Sequence, residues 1–331
     1  MKLLYLSCHA ILEYDELKLF EELGIDYFSL GSYIDPQNPV DSIRPPLTKV
    51  VDQELFHMPH DREELTKEFI DKFDTIIVMH IPKWIIANWE VMKTKRVILR
   101  TIGQSTPETE RLLAPYIKEG LEVVRYSQRE KYIEGNIGCD KIIHFYKDPE
   151  QFRAYGGYTR EAITFAQNMI DREEYCHFDV FKQIVAGVPA HVYGPKNENA
   201  GELNGGFLSY DQMREKYRDS RVYIYTGTQP ASYTLNFIEA FMTGIPIVAV
   251  GPKIGNSLQI AGKETYQIPD FIQHAVNGYI SDDVEQLNQT VKMLLDDPSL
   301  CRLIGGQGRR TAIELFGKDM IKSKWKEFLG V

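Results

Sequence analysis

The residues best suited to chemistry lie between Ser232 and Ala249, where a hydroxyl-bearing turn leads into a short apolar helix. Ser232, Tyr233 and Thr234 precede the predicted helix, and Glu239 lies inside it. The first N–H groups of a helix have no partner within the helix and favour a bound anion. A carboxylate beside them is placed to accept hydrogen bonds from ribose hydroxyls. This pairing suggests a nucleotide site.

The same segment indicates the class of fold around that site. Gly244 and Pro246 end the predicted helix, and the β-branched run 247–249 follows them. A turn, a helix, a tight turn and a buried strand in this order are typical of an α/β domain.

Strands and helices alternate along both halves of the chain, with helices predicted, among others, at residues 15–23, 62–73 and 298–303. A Pro-rich loop lies between residues 36 and 46. The rhythm predicts an α/β protein of two Rossmann-like, doubly wound domains with mostly parallel sheets, facing each other across a cleft. We place the first domain at residues 1–154 and the second at 155–331, because residues 152–158 are a polar aromatic stretch with two glycines. The last helix is a candidate to cross back to the first domain.

Composition narrows the class of protein. The 331 residues are 43% hydrophobic and 26% charged, as in a globular protein with a sizeable core. The net charge of −9 disfavours nucleic acid and anionic membranes as partners. The four cysteines are scattered, with no Cys-x-x-Cys pair, which favours a reducing, cytoplasmic location. No apolar stretch reaches the roughly 18 residues that a transmembrane helix needs.

Four segments of the second half, taken in order, resemble a known family. Residues 239–249 resemble the second Glu of a Glu-x7-Glu motif and the Ala-Met-Ala-x-Gly-x-Pro run that follows it. Residues 142–152 resemble the interdomain segment of the same family, residues 206–210 its base-binding loop, and residues 276–298 its closing segment. The family is that of the GT-B glycosyltransferases, and the closest match is the large retaining group that uses nucleotide sugars.

The chain also departs from this pattern. Ala231 stands where the family has its first Glu, and Thr234 stands where a glycine is expected. In the family that first Glu lies close to the donor sugar, so its absence leaves the identity of the sugar open. The family's Arg-x4-Lys pair is also missing in register, and Arg172 is the only Arg or Lys between residues 167 and 177.

The resemblance implies transfer of a sugar from a nucleotide-sugar donor, most commonly UDP-linked, to an acceptor hydroxyl. It implies retention of the anomeric configuration, with the donor phosphate helping to deprotonate the acceptor, and no cofactor or metal beyond the donor. The implied acceptor is a glycan, a lipid-linked sugar or a small molecule. The implied donor-binding residues are Glu239 at the ribose, with Ser232, Tyr233, Thr234, Leu235, Arg172, Asn168, Gly194 and Leu208 around the phosphates and base.

Four polar residues of the first half come directly after predicted strands, at the edge where parallel sheets bind their ligands. His80, Arg100 and Gln104 are the candidate catalytic residues, and His9 is the candidate contact to the acceptor. No nucleophile with a neighbouring base and no Asp-x-Asp pair stands out, which agrees with a transfer that does not depend on a metal.

Three alternatives remain open at this point. The same fold glycosylates modified DNA bases in some viral enzymes. A catalytically inactive nucleotide-binding homologue would explain Ala231 and the shifted basic pair. An epimerase or a phosphorylase of the same fold is the third, although nothing in the sequence indicates the lysine-linked cofactor of phosphorylases.

Overall fold

The computed structural model describes residues 1–31, 33, 47, 52–58, 61–152 and 155–331. The predicted Pro-rich loop, residues 36–46, lies outside these residues. The chain divides into two compact units, one formed by residues 1–145 and 321–331 and the other by residues 146–320. No helix in the described part of the chain is long and apolar enough to cross a membrane.

The first unit is a parallel sheet flanked by helices. Its described strands are β1 (Lys2–Leu6), β2 (Asp26–Ser29), β3 (Thr75–Met79), β4 (Arg96–Arg100), β5 (Glu122–Arg125) and β6 (Lys141–Ile142). Its described helices are α1 (Ala10–Glu22), α2 (Gln53–Phe56), α3 (Lys67–Ile70), α4 (Pro82–Met92) and α5 (Pro107–Ile117), with a 3-10 turn at Gln128–Tyr132.

The second unit repeats the arrangement. Its described strands are β7 (Thr159–Phe165), β8 (Ala190–Tyr193), β9 (Asn204–Gly206), β10 (Ser220–Tyr225), β11 (Ile247–Val250) and β12 (Tyr279–Ser281). Its described helices are α6 (Glu173–Cys176), α7 (Phe178–Ile184), α8 (Tyr210–Asp219), α9 (Leu235–Thr243), α10 (Pro252–Gly255), α11 (Ile268–Phe271), α12 (Val284–Asp296) and α13 (Pro298–Phe316). Helix α14 (Lys318–Leu329) begins in this unit and ends in the first.

Strand order identifies where each sheet should bind a ligand. The first sheet runs β2-β1-β3-β4-β5-β6 and the second β12-β11-β10-β7-β8-β9, with parallel pairing throughout the described ladders. The second order is that of the dinucleotide-binding fold. Crossovers change direction between β1 and β3 and between β7 and β10, and such sheets bind ligands outside the carboxyl ends of those strands. The predicted fold class, two doubly wound α/β units, is confirmed.

Three predicted helices differ in extent from those observed. The helix expected at residues 15–23 already begins at Ala10, because His9 Nδ1 accepts a hydrogen bond from the Leu12 N–H at 3.4 Å and caps it. The helix expected at residues 62–73 is only the short α3, which starts after the Thr66 cap. The helix expected at 298–303 continues to Phe316 as α13.

Two glycines of α13 lie against α9. A Cβ on Gly305 would stand 1.8 Å from the Gly244 carbonyl oxygen, and one on Gly308 would stand 2.8 Å from the Phe241 ring. Glycine weakens a helix in isolation, but here it lets two helix backbones approach closely. The glycines of α13 therefore serve its packing on α9.

Candidate functional site

The loops after β7 and β8 are joined at the carboxyl edge of the second sheet by one buried amide. Asn197 Nδ2 donates to the Ala166 carbonyl at 2.7 Å and to the Gly194 carbonyl at 3.0 Å, and its Oδ1 accepts from Met169 N at 2.9 Å. Gly194 has φ +133°, and a Cβ there would stand 2.4 Å from the Ala166 oxygen. This position requires glycine because the two loops approach so closely. Of the predicted site residues, Asn168 and Gly194 lie in these loops.

Helix α9 begins at the same edge, after β10, and its own N-cap residue does not cap it. Thr234 is its N-cap residue and makes no capping hydrogen bond, and the first turn holds no acidic residue. By contrast, Ser209, Asp283 and Asp297 cap α8, α12 and α13. The first N–H groups of α9 therefore form a site with partial positive charge that suits an anion.

The two residues just before Thr234 are buried. Ser232 and Tyr233 are both 2% exposed. The Tyr233 ring packs against Phe271 and Phe316, with centroids 5.3 and 5.6 Å away. Its side chain thus belongs to the core of the unit. Leu235 is the first residue of α9 and is half-buried.

Glu239, the predicted ribose ligand, forms a buried ion pair in the second turn of α9. Its Oε1 lies 2.9 Å from Lys147 Nζ, and the two side chains are 3% and 2% exposed. Lys147 is itself held in place, because its N–H donates to the Phe316 carbonyl at 3.0 Å. A buried carboxylate needs such a partner to stay ionised. Sequence reasoning missed Lys147, although it lies within the segment 142–152 that carries part of the family resemblance.

The other predicted donor-side residues lie at the same carboxyl edge. Arg172 is partly exposed in the connection after β7, and its guanidinium donates to the Gln167 carbonyl at 3.4 Å. Leu208 is half-buried between β9 and α8, next to Phe207, whose side chain is 67% exposed. The predicted donor set therefore follows four strands, β7, β8, β9 and β10, of one sheet.

In the first unit, His9 and His80 follow the two strands between which the crossovers change direction. His9 comes after β1 and caps α1. His80 comes after β3 with a left-handed backbone, φ 63°, and its Nδ1 is buried without a hydrogen-bond partner among the described residues. Burial lowers the pKa of His80. Its imidazole is therefore kept neutral near pH 7 and can accept a proton.

Arg100 and Gln104, both predicted after β4, have different surroundings. Arg100 is fully buried, and its guanidinium donates to Glu16 Oε1 at 2.8 Å and to the Ile143 carbonyl at 2.7 Å. Gln104 is exposed in the loop that follows. Arg100 is thus bound within its own unit, whereas Gln104 is accessible.

Sequence reasoning also missed Glu13, a carboxyl group buried under the ends of β1 and β2. It is fully buried; its Oε1 accepts from Ser29 Oγ at 2.7 Å and its Oε2 from Tyr33 N at 3.2 Å. Burial raises its pKa to about 7, against the opposing effect of these hydrogen bonds. Three acidic residues of α1 are buried: Glu13, Asp15 and Glu16.

Within the described residues, no cluster of three or more His, Cys, Asp or Glu side chains is arranged to hold a metal ion.

Comparison with known proteins gives structural matches over the full chain. Sucrose-phosphate synthase from Thermosynechococcus elongatus superposes with a TM-score of 0.72 at 13% identity, covering 99% of this chain and 98% of that one. HepE from Anabaena, solved with UDP-glucose, gives 0.68 at 14% identity, covering 100% and 99%. These are GT-B glycosyltransferases. The chain has the GT-B fold.

A third match has a different acceptor. An α-glucosyltransferase solved with UDP-glucose and DNA containing an abasic site superposes with a TM-score of 0.63 at 9% identity, covering 100% of this chain and 99% of that one. No family model and no curated protein sequence matches the chain. At these identities, the likeness concerns the fold.

The buried carboxyl of Glu13 should make stability depend on pH. The pKa of Glu13 is about 7 in the folded protein against an ordinary value of 4.5, so the unfolded chain releases the proton at lower pH. The stability of the wild type therefore falls as pH rises from about 4.5 to about 7. Glu13→Gln removes the titration. The free energy of unfolding of the variant relative to wild type should therefore rise by roughly 2–3 kcal/mol between pH 5 and pH 8.

Urea denaturation at each pH measures this difference. Glu68→Gln, at an exposed position of α3, is the control and should show a difference that hardly varies with pH. A flat profile for Glu13→Gln as well would contradict the raised pKa.

The Lys147–Glu239 pair should behave as a coupled unit in unfolding experiments. Lys147→Met leaves a buried carboxylate without its partner and should lower the free energy of unfolding by about 3–5 kcal/mol. Combining it with Glu239→Gln should recover much of that loss, because the charge is gone. A double-mutant cycle measures the coupling. Strictly additive losses would show that the two charges do not interact.

Proposed function

We propose that the protein is a glycosyltransferase that moves a sugar from a UDP-linked donor to an acceptor hydroxyl. The second unit binds the donor and the first unit binds the acceptor. Among its structural matches, HepE is solved with UDP-glucose, which supports a uridine carrier.

The observation that carries the proposal is the uncapped N-terminus of α9 together with Glu239 in the same helix. Helix α9 follows β10, one of the two strands between which the crossovers change direction. The N–H groups suit a diphosphate, and a carboxylate one turn further along the helix suits the ribose that the diphosphate carries. Two parts of one ligand are thus matched by two parts of one short helix.

The leaving diphosphate is stabilised by the dipole of α9 and by Arg172, which lies after β7, the other strand of that pair. This arrangement supplies positive charge without a metal. Asn168 and Gly194 shape the wall beside β8, and Leu208 borders the base. Transfer proceeds with retention, and the donor phosphate takes part in deprotonating the acceptor.

In the first unit, His80 is the catalytic candidate whose protonation state suits catalysis. Its imidazole is neutral, and its Nδ1 has no hydrogen-bond partner among the described residues, which suits a hydrogen bond to a reacting hydroxyl. His9 and the exposed Gln104 contact the acceptor. Arg100 is a positioning residue, because its guanidinium holds the end of β4 to Glu16.

The proposal predicts that UDP binds and that Glu239 contributes to its affinity. Isothermal titration of UDP should show binding to wild type and weaker binding to Glu239→Ala, by roughly tenfold or more, because a charge-assisted hydrogen bond is lost. Circular dichroism should confirm that the variant is folded at the temperature used.

Glu161→Gln is the matched control. Glu161 is also a buried glutamate of the second unit, paired with Lys216 Nζ at 2.9 Å, but it lies near the amino end of β7, away from the ligand edge. The Glu161→Gln variant should be less stable than wild type and should bind UDP with the same affinity. Equal affinities of Glu239→Ala and wild type would refute the ribose assignment.

A second acceptor class, DNA, is supported by one feature of the first unit. Tyr132, 41% exposed, ends the 3-10 turn that follows β5 at the carboxyl edge. Arg129 and Lys131 lie over its ring, at 5.6 and 4.9 Å from the centroid. An exposed ring with two cations close to it suits stacking on a base beside a phosphate. The α-glucosyltransferase solved with DNA shares the fold.

If DNA is the acceptor, the protein should be retained on duplex DNA at low salt and released as salt rises. Lys131→Glu should weaken binding and reduce the slope of log affinity against log salt by about one unit. Lys118→Glu, at the C-terminal end of α5, should change neither the affinity nor the slope. Wild type that shows no retention at low salt leaves the glycan and small-molecule acceptors.

A further inference from the structure

Three polar side chains form a hydrogen-bonded cluster at the carboxyl end of β10 that the proposed function does not use. His177 Nε2 lies 3.0 Å from Ser257 Oγ, and Gln229 Nε2 lies 3.0 Å from the same oxygen. His177 and Gln229 are 8% and 7% exposed, whereas Ser257 is exposed. The cluster therefore presents a single group, the serine oxygen, to solvent.

The protonation pattern of the cluster is determined by its outer contacts. His177 Nδ1 lies 3.0 Å from the Thr226 carbonyl, which can only accept, so Nδ1 carries the hydrogen. Burial lowers the pKa of His177, although the Thr226 carbonyl and Glu173 oppose the effect. In the neutral ring Nε2 then accepts, and the Ser257 hydroxyl at 3.0 Å is a closer donor to it than Gln229 Nε2 at 3.3 Å. Gln229 Nε2 donates to the serine oxygen.

The backbone is arranged around these contacts. His177 has a left-handed conformation, φ 57°, between α6 and α7. Gln229 Oε1 accepts from Leu258 N at 3.0 Å, and Gln229 N donates to the Tyr175 carbonyl at 3.0 Å. A strained residue that its surroundings hold in place is more common at functional sites than elsewhere.

A serine paired with histidine also suggests a nucleophile, but the local backbone argues against acyl transfer. Such chemistry needs free N–H groups for the oxyanion. The Ser257 N–H donates to Ile254 O at 3.1 Å, and the Leu258 N–H donates to Gln229. Neither is available, so the serine oxygen is best interpreted as a ligand contact.

The hydrogen-bonding state of this oxygen selects the ligand. Its hydrogen is committed to His177, so towards solvent it can only accept. Phosphate and carboxylate groups also only accept, and they do not fit. A hydroxyl of a sugar donates, and it carries no charge, which matches a site built from neutral groups.

The position of the cluster indicates that this hydroxyl belongs to the sugar of the donor. Gln229 lies in the turn between β10 and α9, three residues before Ser232. Groups next to the anion site at α9 should meet whatever the diphosphate carries. We propose that Ser257, oriented by His177 and Gln229, binds a hydroxyl of the donor sugar and contributes to the choice of that sugar. This inference rests on the proposed function.

Titration of UDP and of three UDP-sugars tests the inference. The probes are UDP, UDP-glucose, UDP-galactose and UDP-N-acetylglucosamine. Wild type should bind at least one sugar donor more tightly than UDP. Ser257→Ala should bind UDP as wild type does and lose roughly three- to tenfold in affinity for that donor, the usual effect of one hydrogen bond.

Two variants serve as controls. Ser257→Thr keeps the hydroxyl and should retain most of the sugar-dependent affinity. Ser323→Ala, at an exposed position of α14, should match wild type with every probe.

The outcomes separate this inference from the function on which it rests. If wild type binds no UDP, the donor assignment itself fails. If UDP binds but the sugars add no affinity, or if Ser257→Ala weakens UDP and UDP-sugar equally or not at all, the donor site stands and the role of Ser257 is refuted.

Discussion

Parallel strand pairing is the constraint on which the rest of the structure depends. Each parallel strand must be followed by a connection that returns to the opposite edge, so both faces of the sheet become covered and buried. The loops that leave the strands then gather at one edge. In the second unit they bring together segments far apart in sequence, from Asn168 after β7 to Thr234 after β10. The strand order, more than any single sequence motif, brings the residues of the candidate site together.

Burial of charge is the second constraint, and it limits which polar residues can meet a ligand. Arg125 forms a two-point contact with Glu110 at 2.9 and 2.8 Å inside the first unit, and Arg100 is held by Glu16. Such pairs offset desolvation and leave little capacity for a substrate. The Lys147–Glu239 pair is buried in the same way, but Glu239 belongs to the helix that begins at the ligand edge.

Much of this arrangement could be predicted from the sequence. Apolar runs flanked by turns indicated most strands, and the segment from Ser232 to Ala249 folds into the expected helix and strand, α9 and β11. Long-range pairs could not be predicted in this way. Nothing in the local pattern connects Lys147 to Glu239, or His177 to Ser257, because these contacts arise only when distant loops meet. Helix α4 lacks a capping side chain before Pro82, so this common start signal is absent from its sequence.

The close approach of α13 to α9 also affects how this scaffold can be recombined. With the Gly305 backbone against the Gly244 carbonyl, the position of α9 depends on a helix much later in the chain. A chimera that replaces α9 but keeps α13 would pack a foreign helix against a surface that fits the original one. Such a replacement should fold well only if α9 and α13 are exchanged together. In directed evolution the two helices should therefore be varied as one unit, although they are far apart in the sequence.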